Sequence, residues 1–324
     1  MHVMDIRQLR YFVRIVEGGS LSQASRELNV AQPALSQQVA RLEEAVGRPL
    51  LHRTSRGVVP TEGGLALYHH ALFVLRQFDQ TLAVARRDGG MLHGMVSVGL
   101  PATTVSALGL ALVRRVRQRH PGILLNVVEG MSGHIARLAA QGQLDLAVLF
   151  GSDAAPDMTV EPLMEEELYL ILGTGGGILP AEASAVTIAE LAQLPLILPT
   201  GAHGLRKRID AEFERRGLSP TVVAEIDSLA LVMTCVHDGL GGTIKPTGAV
   251  MQAGERARRL RLLPIADARL RRRNYLYRLP PERLTSVAAV VAEELKTAVA
   301  ELIADRAWSG FAPPGPMPRD AGAP

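Results

Sequence analysis

Residues 20–47, followed by Leu50-Leu51-His52-Arg53, are compatible with few folds. Ser20 suits the N-cap of a helix burying Leu21, Ala24 and Leu28, and Asn29-Val30-Ala31 makes a tight turn. Pro33 stands in the first turn of the next helix, where its missing N–H would be unpaired anyway. Leu35, Val39, Leu42 and Val46 then recur at helical spacing as a buried stripe, and Gly47 is the stop. With that stripe inward, Gln32, Ser36 and Gln37 are left on the outer face of a helix that begins in polar capping groups. A rigid helix offering uncharged amides and a hydroxyl at its exposed N-terminal end matches the base edges of a DNA major groove.

The flanking segments complete a domain. An earlier helix is expected from Asp5, with Leu9, Phe12, Val13 and Val16 inward and Gly18-Gly19 ending it. Two β-prone runs, residues 49–54 and 58–60, are joined by Ser55-Arg56-Gly57 and predict a hairpin, hence a wing. Each reader has a plainer alternative. Gln32 would only cap its helix, Ser36 and Gln37 would only be solvated, and Arg53 would pair with Glu43 or Glu44.

Composition narrows the class. At 324 residues, 47% hydrophobic and 21% charged, the chain has material for two or three packed domains. The single Cys235 rules out a disulfide framework and any multi-cysteine metal site. The start carries charges and no apolar run, and no uncharged stretch approaches a membrane span, so a cytoplasmic protein without membrane contact is expected. The whole formal charge of +3 falls in the first 60 residues, where eight arginines face five carboxylates. Alone, that is as much a solvated face as a polyanion signal.

Residues 62–88 predict a long helix, a rod of roughly 40 Å. Leu65, Tyr68, Leu72, Leu75 and Leu82 form its seam, which is expected to face a second copy because no nearby core needs covering. After Asp88-Gly89-Gly90 the pattern changes to alternating strands and helices. Strands are expected at 95–100, 123–128, 144–150, 168–172, 196–199, 221–226 and 242–244, buried, parallel and joined by crossover helices. A closing helix over 285–305 turns Val287, Val290, Val291, Leu295 and Val299 inward, and the Pro/Gly-rich tail from Ser309 reads as disordered.

The stretch from Ser20 to Gly47 with Leu50-Leu51-His52-Arg53, including Ala31-Gln-Pro-Ala-Leu-Ser-Gln-Gln-Val39 and Leu42-Glu43, closely resembles the N-terminal domain of LysR-type transcriptional regulators. The resemblance extends to about residue 305 and takes in Asp238-Gly-Leu-Gly-Gly-Thr-Ile-Lys-Pro246. Tyr11-Phe-Val-Arg-Ile-Val-Glu17, residues 31–40 and Arg53-Thr-Ser-Arg-Gly-Val58 look most like the subgroup containing the nitrogen assimilation control regulator. A departure is Leu51-His52, where many members carry an aromatic residue before the arginine.

The resemblance implies an α/β chain with an N-terminal winged helix-turn-helix over 1–61 and a dimerisation linker helix over 62–90. A two-lobed, periplasmic-binding-protein-like effector domain follows over 91–308, with lobe I at about 91–165 and 267–308 and lobe II at about 166–266. It implies a homodimeric or homotetrameric activator or repressor that binds dyad-symmetric double-stranded DNA and answers to a small ligand, with RNA polymerase as a further contact. Carried onto this chain, Gln32, Pro33, Ser36 and Gln37 read bases, while Arg53 and Arg56 on the wing meet phosphate or minor groove. Glutamine pairs with adenine and proline touches a thymine methyl, so an A·T-rich half-site is expected. The subgroup's regulator works without a co-effector, which leaves the cleft either a ligand site or a vestige.

In two-lobed α/β domains ligands sit outside the strand ends, where helix N-termini present free N–H groups. Thr103, Thr104, Ser132, Thr200, His203 and Ser228 occupy such positions as hydrogen-bonding candidates, with Phe150 as an apolar wall. All except Phe150 also suit ordinary caps, and no arginine falls inside these segments, which argues against a strongly anionic ligand. The arginines at 256, 258, 259, 261, 269 and 271–273 read as a solvated edge or a protein contact.

Enzyme readings fail on the residues. Cys235 is set among apolar neighbours, no Gly-x-Ser-x-Gly elbow is present, and Gly173-Thr-Gly-Gly-Gly177 lacks the lysine of a phosphate loop. His69 and His70 are adjacent on a helix and diverge, so no cofactor or metal is expected. A small-molecule-binding module without DNA regulation would explain 94–305 but would have no use for the N-terminal domain.

Overall fold

Local signals set the first three helices. The computed structural model describes residues 4–54, 57–85, 92–151, 158–175, 177, 179–201, 203–251, 253–305 and 307–315. They divide into two compact units, Met1–Met95 with Leu138–Leu144, and Val96–Arg137 with Asp145–Pro324. In α1 (Ile6–Gly18), Asp5 accepts from the Arg7 N–H at 3.0 Å and the Gln8 side chain accepts from the Asp5 N–H at 2.9 Å, a reciprocal cap. Ser20 caps α2 (Leu21–Leu28), and Asn29, left-handed at φ 53°, ends it.

In α3 (Gln32–Val46) the expected polar cap is absent. Ala31 is the N-cap and makes no side-chain hydrogen bond, so the fixed φ of Pro33 sets the start instead. Leu35, Val39 and Leu42 are buried as expected. Val46, one turn further, is exposed, because the helix end has run past the core. The wing is the hairpin of β1 (Leu51–Thr54) and β2 (Gly57–Pro60). It is tied down where the Val58 N–H donates to the Gly19 carbonyl at 2.8 Å. Gly57 is required there: its φ is 134°, and a Cβ would lie 2.3 Å from that oxygen.

The long helix α4 (Glu62–Ala85) corrects one expectation. Its described side chains run only as far as Phe78, so Leu82 of the expected seam lies outside them. Tyr68, Leu72 and Leu75 pack with Ala71 onto Leu9, Phe12, Val13, Leu42 and Leu50. The first half of the rod therefore helps to close the core of its own domain. Leu65 is exposed, and Phe78 is exposed under the Arg10 guanidinium, 5.8 Å from the ring centroid.

The second unit begins with β3 (Gly94–Pro101), α5 (Ala102–Thr104), a π-turn over Val105–Gly109 and α6 (Leu110–Arg119). Then come β4 (Ile123–Gly130), α7 (Ser132–Ala140), β5 (Leu146–Leu149) and the 15-residue β6 (Thr159–Gly173). The other lobe holds α8 (Ile188–Ala192), β7 (Leu196–Leu198), α9 (Gly204–Glu214), β8 (Val222–Glu225), α10 (Leu229–His237), β9 (Thr243–Pro246), α11 (Gly248–Met251) and β10 (Leu260–Pro264). The chain returns through β11 (Arg271–Arg278) to α12 (Ser286–Ala304) and a short β12 (Phe311–Ala312).

The sheet is mixed, not the expected parallel one. Its order is β10-β6-β11-β5-β3-β4, with β9 and β12 also on β6. The β3–β5 pairing is parallel, but β11 runs antiparallel to both β5 and β6, and β9 and β10 are antiparallel to β6. The return strands replace a crossover helix, so β6 passes from one lobe into the other. The tail from Ser309 is likewise not disordered as far as Gly315. Phe311 and Ala312 pair with Glu166 and Glu165, the Glu167 N–H donates to the Gly310 carbonyl at 2.8 Å, and Thr247 donates to the Ser309 carbonyl at 2.7 Å. An unpaired strand edge captures the segment that its composition leaves unstructured.

Candidate DNA interface and effector cleft

The inward turn of Leu35, Val39 and Leu42 leaves Gln32, Pro33 and Gln37 exposed on the first turns of α3. Their amides are not equivalent. The Ser22 hydroxyl donates to Gln32 Oε1 at 3.0 Å, which occupies one lone pair and leaves the NH2 group outward. Gln37 makes no hydrogen bond within the described residues, so both halves of its amide are open. Ser36 is half-buried and its Oγ accepts from Arg53 Nη2 at 2.8 Å. That bond carries the guanidinium from the wing across to α3, and the Ser36 O–H keeps its proton to donate outward.

Arg53 accordingly does not pair with Glu43 or Glu44. Glu43 Oε1 instead accepts the Leu50 and Leu51 N–H groups at 2.7 and 3.2 Å and fixes the entry to the wing. Arg56 lies outside the described residues.

The effector-side candidates divide into those joined in one cluster and those engaged elsewhere. Thr103 Oγ1 accepts from Arg272 Nη2 at 2.9 Å, and the same guanidinium lies over Phe150, 3.5 Å from the ring centroid. Arg272 Nε and Nη2 also donate to Glu166 Oε2 at 2.9 and 2.6 Å, and Asn274 Nδ2 donates to the same oxygen at 2.9 Å. This ion pair is fully enclosed: Arg272 is 4% exposed and Glu166 0%. Thr200 is engaged by Asp227, to which its N–H and hydroxyl both donate. His203 Nδ1 accepts from the Leu205 N–H and Ser228 Oγ from the Leu231 N–H, so both cap their own helices. Thr104 Oγ1 and Ser132 Oγ are buried and unpartnered among the described residues.

Two residues that motif reasoning missed dominate the charge. Arg272 lies in the arginine run expected to be solvated; it is instead an inward position of β11, opposite Glu166 by register. Its neighbour Arg273 pairs with Glu165 at 2.6 Å, and Arg261 donates to three carbonyls, while Arg256, Arg258, Arg259, Arg269 and Arg271 are exposed. The second is Lys245 at the end of β9, 8% exposed. Burial and the Arg272 cation push its ammonium down to about 8, against the pull of Asp227. Burial, then Lys245 and Arg272, push the His203 imidazole below its ordinary value, with Asp227 opposing. The cleft therefore has an arginine and a lysine where the helix starts alone predicted none.

Residues 6–65 match the bacterial regulatory helix-turn-helix protein, lysR family, and residues 89–300 match the LysR substrate binding domain. The nitrogen assimilation regulatory protein nac of Klebsiella aerogenes is 38% identical over 247 residues, spanning 76% of this chain and 79% of that protein. The probable cat1 operon transcriptional activator of Acinetobacter lwoffii is 30% identical over 248 residues, 76% of this chain and 82% of that one. A full-length OxyR variant from Pseudomonas aeruginosa shares the fold with a TM-score of 0.68 at 20% identity, over 91% of this chain and 97% of that one. An OxyR cysteine mutant of Corynebacterium glutamicum gives 0.54 at 26% identity, over 93% and 94%. No helix among the described residues is long and apolar enough to cross a membrane, and no group of metal-ligating side chains occurs among them. This chain belongs to the LysR family, as a DNA-binding regulator with an effector domain.

Proposed function

We propose that the chain regulates transcription in the cytoplasm as a homodimer or homotetramer on dyad-symmetric, A·T-rich promoter sites. The observation that carries this is the outward amide face of α3, opposite its buried leucine and valine stripe. Gln37, with its whole amide open, is the main adenine reader. Gln32 and Ser36 donate, Pro33 meets a thymine methyl, and Arg53 and Arg56 lie along phosphate or minor groove. The α4 rod, with Leu65 and Phe78 exposed, carries the contact with a second copy, which sets the half-site spacing. A small molecule in the cleft adjusts the activity, whether as activator or repressor, with RNA polymerase as the downstream partner. The 38% identity to nac supports a place in nitrogen control.

Salt-titrated gel shifts test the reader assignment. Arg53→Ala is expected to weaken binding to every DNA alike and to reduce the salt slope by about 1, as for one lost phosphate contact. Ser36→Ala should reproduce part of that loss, because it frees the Arg53 guanidinium. An Arg53→Ala protein with unchanged affinity and slope removes the wing contact from the proposal.

A further inference from the structure

We propose that Ser22 on α2 decides which base Gln32 reads, by holding the Gln32 amide in an orientation that can only donate. The inference deepens the reader assignment above and rests on it. The Ser22 hydroxyl donates to Gln32 Oε1 at 3.0 Å, reaching from one helix of the motif to the other. Its neighbours in the first turn of α2 are engaged within that helix. Ser20 Oγ accepts from the Gln23 N–H at 3.4 Å, and Gln23 Nε2 donates to Glu27 Oε1 at 3.0 Å. Ser22 is thus a positioning residue, placed to act on the DNA through Gln32.

The frame around this bond is fixed. Leu21 and Ala24 of α2 share a buried cluster with Leu35 and Val39 of α3, and the Ser25 hydroxyl donates to the Val30 carbonyl at 2.6 Å across the turn. Gln32 precedes Pro33, whose ring restricts the Gln32 backbone as well. Only the side chain keeps its freedom, and Ser22 takes up its carbonyl end. Bidentate reading of adenine needs both halves of an amide, the NH2 group on N7 and the carbonyl on the N6 amino group. With its carbonyl turned to Ser22, Gln32 meets that amino group donor to donor. Guanine O6 and N7, or thymine O4, present acceptors there instead. The geometry thus assigns Gln32 to an acceptor-only edge, guanine or thymine, and leaves adenine to the open amide of Gln37.

The test is selection from a random DNA library by the full chain and three variants. Gln32→Ala locates the base pair, as the one at which preference is lost. There the wild type is expected to enrich guanine or thymine, and replacing that base with adenine should weaken its binding about 5- to 10-fold, the lower range for one misread base pair. Ser22→Ala frees the carbonyl and should switch the selected base to adenine at that pair alone. Ser22→Thr keeps the hydroxyl and should retain the wild-type base. Ser22 is exposed and alanine is a strong helix former, so Ser22→Ala should melt with the wild type. The wild-type base retained by Ser22→Ala, a uniform loss at every site with the motif unchanged, as for a phosphate contact, or an unaltered motif in Gln32→Ala overturns the proposal. The readings separate in the same experiment. A wild-type motif that Ser22→Ala leaves intact discards Ser22 and keeps the reading face of α3, whereas a wild type that enriches no motif removes both.

Discussion

Glu166→Gln is expected to destabilise the effector domain by about 3–5 kcal/mol, the usual cost of stranding one half of a buried ion pair. The substitution keeps the shape and an acceptor oxygen but removes the charge opposite Arg272, which has no route to water at 4% exposure. For a unit of this size the loss corresponds to a fall in Tm of about 10 °C. The double substitution Glu166→Gln with Arg272→Met should recover most of it, since the two residues act as one unit and their single effects are not additive. Denaturant unfolding of both singles and the double gives the coupling directly. A Glu166→Gln protein within about 0.5 kcal/mol of wild type, the range of an ordinary surface change, would show that the pair does not hold the cleft wall.

Gly64→Ala tests the other unit, and its sign is diagnostic. In an ordinary helix interior, alanine stabilises relative to glycine by about 0.5–1 kcal/mol. Gly64 lies in the first turn of α4, where its N–H donates to the Thr61 hydroxyl at 2.9 Å. A Cβ there would be 1.8 Å from the Leu50 carbonyl oxygen, which itself accepts the Thr61 N–H at 2.9 Å. The clash is with backbone, so no side-chain rotation relieves it. The expected result is a loss of about 3 kcal/mol, the upper range for overpacking, with Tyr68, Leu72 and Leu75 lifted off α1 and DNA affinity lost with them. A gain in stability would mean that α4 does not dock as the structure has it.

The reading surface was legible because its signals are local. Caps, the Asn29 turn, Pro33 and the four-residue spacing of the buried stripe all lie within thirty residues of one another. The exceptions are instructive: Ala31 replaces the expected polar cap, and α4 buries its seam at home because α1 and Leu50 leave a gap that no periodicity reveals.

The cleft was half legible. Helix starts marked Thr103, Thr200, His203 and Ser228, but each is engaged with the protein itself. Arg272 was in plain view and misread, and Lys245 drew no reading, since lysine and arginine are rarely enclosed. Arg272 meets Glu166 across 106 positions through an antiparallel register that composition does not announce. The one local clue was the alternation in Arg271-Arg-Arg-Asn-Tyr-Leu-Tyr-Arg278, a strand pattern beneath a run of charge.

Selection of DNA from a random library by the full-length protein, repeated with Gln37→Ala, tests the account most directly. The wild type is predicted to enrich paired, dyad-related A·T-rich half-sites, and the variant to lose preference at one base pair in each half-site while keeping the rest. Enrichment of no motif by the wild type, or of an identical motif by both proteins, would contradict the assignment of the outer face of α3 as the surface that reads sequence.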